Sequence, residues 1–333
     1  MKEREKLKSE FINNQNLINV ERLKLKSDAS FRSYERILSD KNSYILMDAP
    51  PGKEETLPFI KIAKFLRAND LSAPEIFAED TCNGFLLLED FGDASFNNIF
   101  NGKSSLSAEL TETRIYDKAI DALIHLHKLS PSSIDLPNYD EAMLLRESNL
   151  FIEWYVSVLN GENLKKEIQE EFNLILKHLL SLCNSFPNVI VLRDYHADNL
   201  IWLNDRIAHR KAGLLDFQDA VIGSPVYDIV SLLEDARRDV SQSLADSMIK
   251  RYLRAFPQYS QKDFNAAYAI YGLQRNLKII GIFARQAVRN KNPTYLSMLP
   301  RIWKYIHNDL KHPLLFPLKK WLAKVVSTQM KAK

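Results

Sequence analysis

Glycine is scarce, with nine residues in a chain of 333. Neither the Gly-x-Gly-x-x-Gly turn of a dinucleotide fold nor the Gly-x-x-x-x-Gly-Lys-Ser/Thr phosphate loop occurs, so those two ways of cradling phosphate are excluded. Cysteine is scarcer still. Cys82 and Cys183 have no metal-ligand spacing and form no disulfide framework, and a reduced compartment, the cytoplasm, is expected. No apolar run approaches the ~18 residues of a transmembrane helix. The charged opening MKEREKLKSEF lacks the apolar core of a signal peptide. Neither charge sign dominates: 45 Lys and Arg face 42 Asp and Glu, a net charge of +3 spread along the chain. Without a basic stripe, no nucleic-acid partner is expected. The Lys-rich ends, Lys2 to Lys8 and Lys319 to Lys333, are expected to be solvated. There is no internal repeat and no low-complexity segment.

What is present is an ordinary globular composition, 46% hydrophobic and 26% charged, in a chain long enough for two lobes with their own cores. Residues 1 to 19 pattern as a leading amphipathic helix. Short strands follow: Ser30 to Ile37 leaves a turn at Ser27-Asp28-Ala29, and Tyr44 to Met47 ends at Pro50-Pro51-Gly52. Thr56 to Asn69 has helical apolar spacing. Phe85 to Leu88 is a buried-strand candidate, closed by Glu89-Asp90-Phe91-Gly92. Helical periodicity then takes over at 115–129, 144–159 and 164–183. Short strands at 189–192, 200–203 and 213–215 follow, and helices resume at 227–236, 242–256, 262–290 and 293–310. The expected fold is α+β, a small mixed β-sheet lobe over residues 1–89 and a larger, mainly helical lobe over 90–333. Ligands of such two-lobed folds lie in the cleft between the lobes.

The stretch Val191-Leu-Arg-Asp-Tyr-His-Ala-Asp-Asn-Leu200 carries the chemistry. Arg193-Asp194, four residues, then Asn199 is the spacing of a kinase catalytic loop. An acid beside an acceptor hydroxyl must orient it and take its proton, which suits a short, rigidly held Asp194. The amide oxygen of Asn199 is a neutral hard ligand for Mg²⁺. Asp216 follows 17 residues later in Gly213-Leu-Leu-Asp-Phe-Gln-Asp219, where a hairpin would return a carboxylate to the same metal. One or two such ligands suffice for Mg²⁺, which takes the rest from phosphate and water. ATP and Mg²⁺ are therefore the expected cofactors, and a small molecule bearing a hydroxyl is the expected partner. Oligomeric state is not legible.

With His196 two places after Asp194, the loop resembles the aminoglycoside phosphotransferase and choline kinase branch of the kinase-like fold. Gly223-Ser-Pro-Val-Tyr-Asp228 fits the same branch. Asp28 to Arg36, Leu46-Met-Asp-Ala-Pro-Pro51, Leu192 to Leu200 and Leu273-Gln-Arg-Asn-Leu-Lys278 resemble the bacterial cell-wall amino-sugar kinases, over residues 20–310. That resemblance implies ATP-dependent phosphorylation of the anomeric hydroxyl of N-acetylmuramate and N-acetylglucosamine in peptidoglycan recycling. It also implies that His196 holds the catalytic loop. Alternative acceptors are an aminoglycoside, choline or homoserine, and a rival from another class is a nucleotide-binding module without turnover.

One departure motivates that rival. A kinase small lobe pairs a Lys on its third strand with a Glu on the next helix. Here Tyr44 to Asp48 holds no Lys and Thr56 to Asn69 no Glu. Arg32 and Arg36, with Lys61 behind them, are the nearest cations, and Arg32 is the candidate for the nucleotide phosphates, since guanidinium binds phosphate bidentately. Glu89 and Phe91 mark the segment whose backbone would meet the adenine edge. Asp228 is expected to cap a helix or to hold the loop by pairing with Arg193. Charges inside the apolar helix around 275 are costly unless paired or facing a ligand. Asp235, Arg275 and Asn276 are therefore the acceptor candidates, against a salt bridge from Arg275 to Glu234 or Asp235.

Overall fold

The structure, a computed structural model, describes residues 2–25, 31–40, 42–161 and 163–326. The turn expected at Ser27-Asp28-Ala29 lies outside them. In chain order, helix α1 (Lys2–Asn14) precedes strands β1 (Glu21–Lys24), β2 (Ser33–Leu38) and β3 (Ser43–Asp48), then α2 (Leu57–Ala68), β4 (Ile76–Asp80) and β5 (Phe85–Glu89). Helices α3 (Phe96–Phe100), α4 (Glu112–Leu126), α5 (Glu141–Leu150) and α6 (Lys166–Ser181) follow, with a π-helix at Phe151–Leu159 continuing α5. Four three-residue strands come next: β6 (Val189–Val191), β7 (Leu200–Trp202), β8 (Ala212–Leu214) and β9 (Val221–Gly223). The chain closes with α7 (Val226–Leu233), α8 (Gln242–Ala255), α9 (Gln261–Arg289), α10 (Leu299–Asp309) and α11 (Phe316–Val325).

Two compact units result, residues 1–122 with 198–219 and residues 123–197 with 220–333. They are drawn differently from lobes of 1–89 and 90–333 because residues 90–122 and the β7–β8 hairpin both belong with the first unit. Leu214 N–H donates to the Ser72 carbonyl at 2.7 Å and Trp202 N–H to that of Ala94 at 2.8 Å.

The first unit is built on an antiparallel sheet ordered β1-β2-β3-β5-β4. Alternation puts Glu35, Ile37, Leu46 and Asp48 on the face that Phe11 and Ile12 of α1 cover. The N-terminal lysines are not all solvated, as the sequence had suggested. Lys8 is buried, 2.7 Å from Glu35 and 3.0 Å from Asp48, and Arg4 reaches Asp48 at 2.6 Å. Burial pulls the Lys8 pKa down, but its hydrogen bonds to Glu35 and Asp48 more than reverse that. The two sheet carboxylates supply the reason: unpaired, they would be costly under α1. In the basic C-terminal stretch Lys319, Lys320 and Lys324 are exposed, as the sequence suggests, while the apolar side of the same helix is not. Leu318, Trp321 and Leu322 of α11 are buried, and Trp321 Nε1 donates to the Ile168 carbonyl at 2.9 Å.

The second unit is organised around α9, buried almost continuously from Ala269 to Gly281. It packs on α5, α7, α10 and the π-helix. At Gly281 any Cβ would lie 2.3 Å from the Leu150 carbonyl carbon. Only glycine lets the backbone of α9 approach the point where α5 widens into its π-turns.

Candidate active site

In the first unit, β7 and β8 form a hairpin that brings Asn199 and Asp216 together. Leu215 N–H donates to the Asn199 carbonyl at 3.0 Å, and Asn199 Nδ2 lies 3.3 Å from Asp216 Oδ2. Asp216 adopts a left-handed backbone (φ 57°), a strained conformation that Asp tolerates better than most residues. Its neighbours hold it there. Phe217 is fully buried and stacks on Phe59 of α2 at 4.9 Å, and Gln218 Nε2 donates to Asp216 Oδ1 at 2.8 Å. Among the described residues, no three His, Cys, Asp or Glu side chains gather closely enough to hold a metal. A metal at Asn199 and Asp216 must therefore take most of its ligands from phosphate and water, as Mg²⁺ does, and one carboxylate with one amide is a hard oxygen donor set that fits it.

Arg32, Tyr34 and Arg36 share the sheet face opposite α1, with Tyr34 in register with Met47. Arg32 lies 3.1 Å from Glu54, which also accepts from the Phe31 N–H at 3.1 Å. The Tyr34 phenol, pushed up to about 12 by burial, feels Arg32 and Asp216. Arg36 is used otherwise than the sequence suggested: it binds Asp90 at 2.6 Å and Asp93 at 2.8 Å. The Glu89 carboxylate is held by Arg67 and Arg206 and accepts from the Glu75 N–H at 3.1 Å. Phe91 packs on Gly213 and beneath Arg206. Both side chains are thus engaged inside the unit, and the Glu89 N–H also donates to the Glu75 carbonyl at 2.8 Å.

In the second unit, Asp194 follows Arg193, a second left-handed residue (φ 71°). Arg has no side-chain device of its own for that conformation, so the surroundings impose it. Asp228 of α7, completely buried, accepts from the Leu192 N–H at 2.7 Å and the Arg193 N–H at 2.8 Å. Ser231 Oγ donates to the Arg193 carbonyl at 3.1 Å. Asp228 therefore holds the loop through its backbone, while the Arg193 guanidinium reaches Glu147 of α5 and lies over the Tyr139 ring. Burial pushes the Asp228 carboxyl up to about 7 against those two backbone donors.

Asp235 holds the same loop from the other end, accepting from the Ala197 N–H at 3.2 Å and the Arg237 N–H at 2.8 Å. His196 is buried with Nε2 3.3 Å from Arg237 Nη1. Burial would raise the Asp194 pKa, but Lys278, His196, Arg193 and Arg275 together hold its carboxyl below the ordinary value. The alternative to an acceptor role, a salt bridge from Arg275 to Glu234 or Asp235, does not form. Arg275 Nη1 instead donates to the Glu234 backbone carbonyl at 3.4 Å, and the Glu234 carboxylate takes Asn276 Nδ2 at 2.6 Å. Among the described residues Arg275 has no carboxylate at salt-bridge distance, although it is only 4% exposed.

Sequence reading missed Glu147, Glu54 and Tyr34. Glu147 sits on a helix with charges all round, and nothing in its spacing distinguishes it. Glu54 was within reach, since the two acids just before α2, Glu54 and Glu55, are the nearest substitutes for the absent helix Glu.

Residues 21–261 match the family model described as the phosphotransferase enzyme family. An N-acetylmuramate/N-acetylglucosamine kinase of Caulobacter vibrioides is 32% identical, over 98% of this chain and 98% of its own length. A protein of the same name from Pseudomonas aeruginosa is 35% identical over 89% and 86%. Among solved structures, a choline kinase from Streptococcus pneumoniae aligns with a TM-score of 0.64 at 14% identity, over 91% of this chain and 99% of that one. An ADP-bound aminoglycoside phosphotransferase aligns at 0.58 and 18%, over 89% and 96%. At these identities the structural likenesses establish the fold, which is the α+β kinase-like fold of those proteins.

Proposed function

This chain belongs to the phosphotransferase enzyme family, and on that footing we propose that it moves the γ-phosphoryl group of ATP to the anomeric hydroxyl of N-acetylmuramate or N-acetylglucosamine. The observation that carries the reading is Asp194. It is a half-buried acid whose carboxyl surrounding cations hold below its ordinary value, five residues ahead of an Asn that lies against a carboxylate. The relatives named above support the choice of acceptor.

Asp194 orients the acceptor hydroxyl and takes its proton. The acceptor oxygen bonds to the γ-phosphorus as the bond from that phosphorus to the β-γ bridging oxygen breaks, and ADP leaves. Asn199 and Asp216 would hold Mg²⁺, which would supply charge neutralisation for the phosphate oxygens. Arg32, steadied by Glu54, faces the nucleotide phosphates in place of the missing strand Lys. An Arg32→Ala variant should raise the ATP Michaelis constant or lower turnover, and unchanged values of both would remove Arg32 from the site. Catalysis comes from positioning and fixed charge. A nucleotide donor fits a cytoplasmic reaction, and no helix among the described residues is long and apolar enough to cross a membrane.

Asp235 and Asn276 are engaged internally, so the acceptor contact falls to Arg275. Among the described residues this buried guanidinium has no carboxylate at salt-bridge distance, which suits the lactyl carboxylate of N-acetylmuramate and disfavours cationic acceptors such as choline or an aminoglycoside. Phosphorus NMR with Mg-ATP and a panel of N-acetylmuramate, N-acetylglucosamine, glucose, kanamycin and choline tests the reading. A new sugar 1-phosphate signal, split by the anomeric proton, is expected with the first two. Product from kanamycin or choline alone would overturn it. Arg275→Met should cost ~10–100-fold more in kcat/KM for N-acetylmuramate than for N-acetylglucosamine, the worth of one charged hydrogen-bonding pair.

A further inference from the structure

Arg193, the residue directly before Asp194, stands in a left-handed backbone (φ 71°) that is unfavourable for any residue with a Cβ. Asp228 holds the Leu192 and Arg193 N–H groups, and Ser231 holds the Arg193 carbonyl. Those bonds fix the peptide planes on either side. They do not relieve the crowding of the Cβ, which drives the residue back toward ordinary backbone. Any rotation about φ would swing the side chain with it, and the far end of that side chain is fastened. The Arg193 guanidinium is bound to the Glu147 carboxylate and lies 5.3 Å over the Tyr139 ring. The Arg193 and Glu147 side chains are each only 13% exposed. Glu147 is itself fixed: Lys278 Nζ lies 2.9 Å from its second oxygen, and the Tyr139 hydroxyl donates to the same oxygen. Its helix is fixed too. Gln274 of α9 donates to the Leu144 carbonyl and to Ser148 Oγ, both at 3.1 Å, on either side of Glu147 in α5.

We propose that Glu147 is a positioning residue for Asp194: by anchoring the Arg193 side chain to α5, it keeps Arg193 left-handed and so sets the direction in which the next residue leaves the loop. This rests on the reading of Asp194 as the base. The action runs through two links, a charge-assisted pair and one peptide bond, and needs no contact between Glu147 and Asp194. Charge-assisted bonds of this kind are the stronger side-chain bonds, which suits them to hold a strained residue. A reacting group misplaced by about 1 Å can lose ~10²-fold in rate. A small relaxation at Arg193 is therefore visible in turnover while the substrates still bind.

Glu147→Gln, which removes the charge at nearly constant volume, should lower kcat by about 10–100-fold, with the ATP Michaelis constant within about twofold of wild type. A merely structural role would lower the folded fraction and leave kcat per active site alone. Glycine separates the two further, because it adopts the left-handed conformation without strain. Arg193→Gly and Arg193→Ala both lose the guanidinium and differ only in the Cβ. The Gly variant should turn over about 5–30-fold faster than the Ala variant, the population cost of a left-handed residue that bears a Cβ. In the Arg193→Gly background, Glu147→Gln should have no further effect on kcat, because the conformation no longer depends on the anchor. Wild-type kcat in Glu147→Gln, equal turnover of the Gly and Ala variants, or the same loss from Glu147→Gln in both backgrounds overturns the proposal. If Glu147→Gln fails to fold, Glu147→Asp, which keeps the charge on a shorter stem, takes its place in both backgrounds. Asp194→Asn, run in parallel, keeps the two readings distinct. Wild-type turnover there sinks the base assignment itself, whereas an inactive Asp194→Asn beside an unaffected Glu147→Gln sinks only the role of Glu147.

Discussion

Asp194→Asn is expected to lower turnover by about 10²–10⁴-fold, the usual contribution of a positioned acid–base group, while Mg-ATP binds nearly as in the wild type. The substitution is nearly isosteric, so the loop pinned by Asp228, Ser231 and Asp235 has no reason to move. What disappears is the charge and the ability to accept a proton. Because Lys278, His196, Arg193 and Arg275 hold the Asp194 carboxyl below its ordinary value, the group is already ionised at neutral pH. The sign follows: a carboxylate with a depressed pKa loses its function only as pH falls through that low value. Wild-type activity should therefore show no acid limb from Asp194 near neutrality. Steady-state kinetics and calorimetric titration with ATP check both halves. Wild-type turnover in Asp194→Asn would remove it from the base role, and lost ATP binding would mean the substitution had disturbed more than the base.

The parts of this molecule written in the sequence are those whose physics is local. Apolar spacing located α2, α4, α6, α8 and α9 to within a few residues, because a helix buries one face whatever it packs on. The proposed catalytic loop stands out in the sequence for a different reason: the roles assigned to Asp194, Asn199 and Asp216 would need fixed types at fixed separations, and few residues could substitute.

What escaped is set by pairing across the fold. Glu147 is an ordinary acid on α5 until Arg193 and Lys278 arrive from a loop and a helix far along the chain. Lys8 looks solvated until Glu35 and Asp48 line up on the sheet face that α1 covers. The left-handed conformation of Arg193 cannot be read from an arginine, whose own preference is against it. It is enforced by Asp228, 35 residues later. The π-helix at 151–159 has the same origin: its apolar pattern reads as a plain continuation of α5, and the widening appears where Gly281 of α9 presses against the Leu150 backbone.

Asp216→Ala should abolish the dependence of ATP binding on Mg²⁺ and lower turnover by about 10²–10³-fold, since a metal's neutralisation of phosphate charge is worth several kcal/mol in the transition state. The geometry gives the reason for choosing this residue over Asn199. Asp216 brings the only formal charge of the two, and its two oxygens are aimed by Asn199 at 3.3 Å and Gln218 at 2.8 Å. Its left-handed backbone complicates the Ala variant, because a β-carbon without a polar group is strained there by ~1–2 kcal/mol. Asp216→Asn tolerates that conformation and removes only the charge, so it isolates the electrostatic part. Calorimetric titrations of ATP with and without Mg²⁺ should show the metal strengthening binding to wild type and leaving both variants nearly unchanged. Metal dependence in Asp216→Asn equal to the wild type's would mean that the carboxylate is not a ligand. The left-handed turn at 216, stacked on α2 through Phe217 and Phe59, would then be explained by the packing of α2 on the β7–β8 hairpin alone.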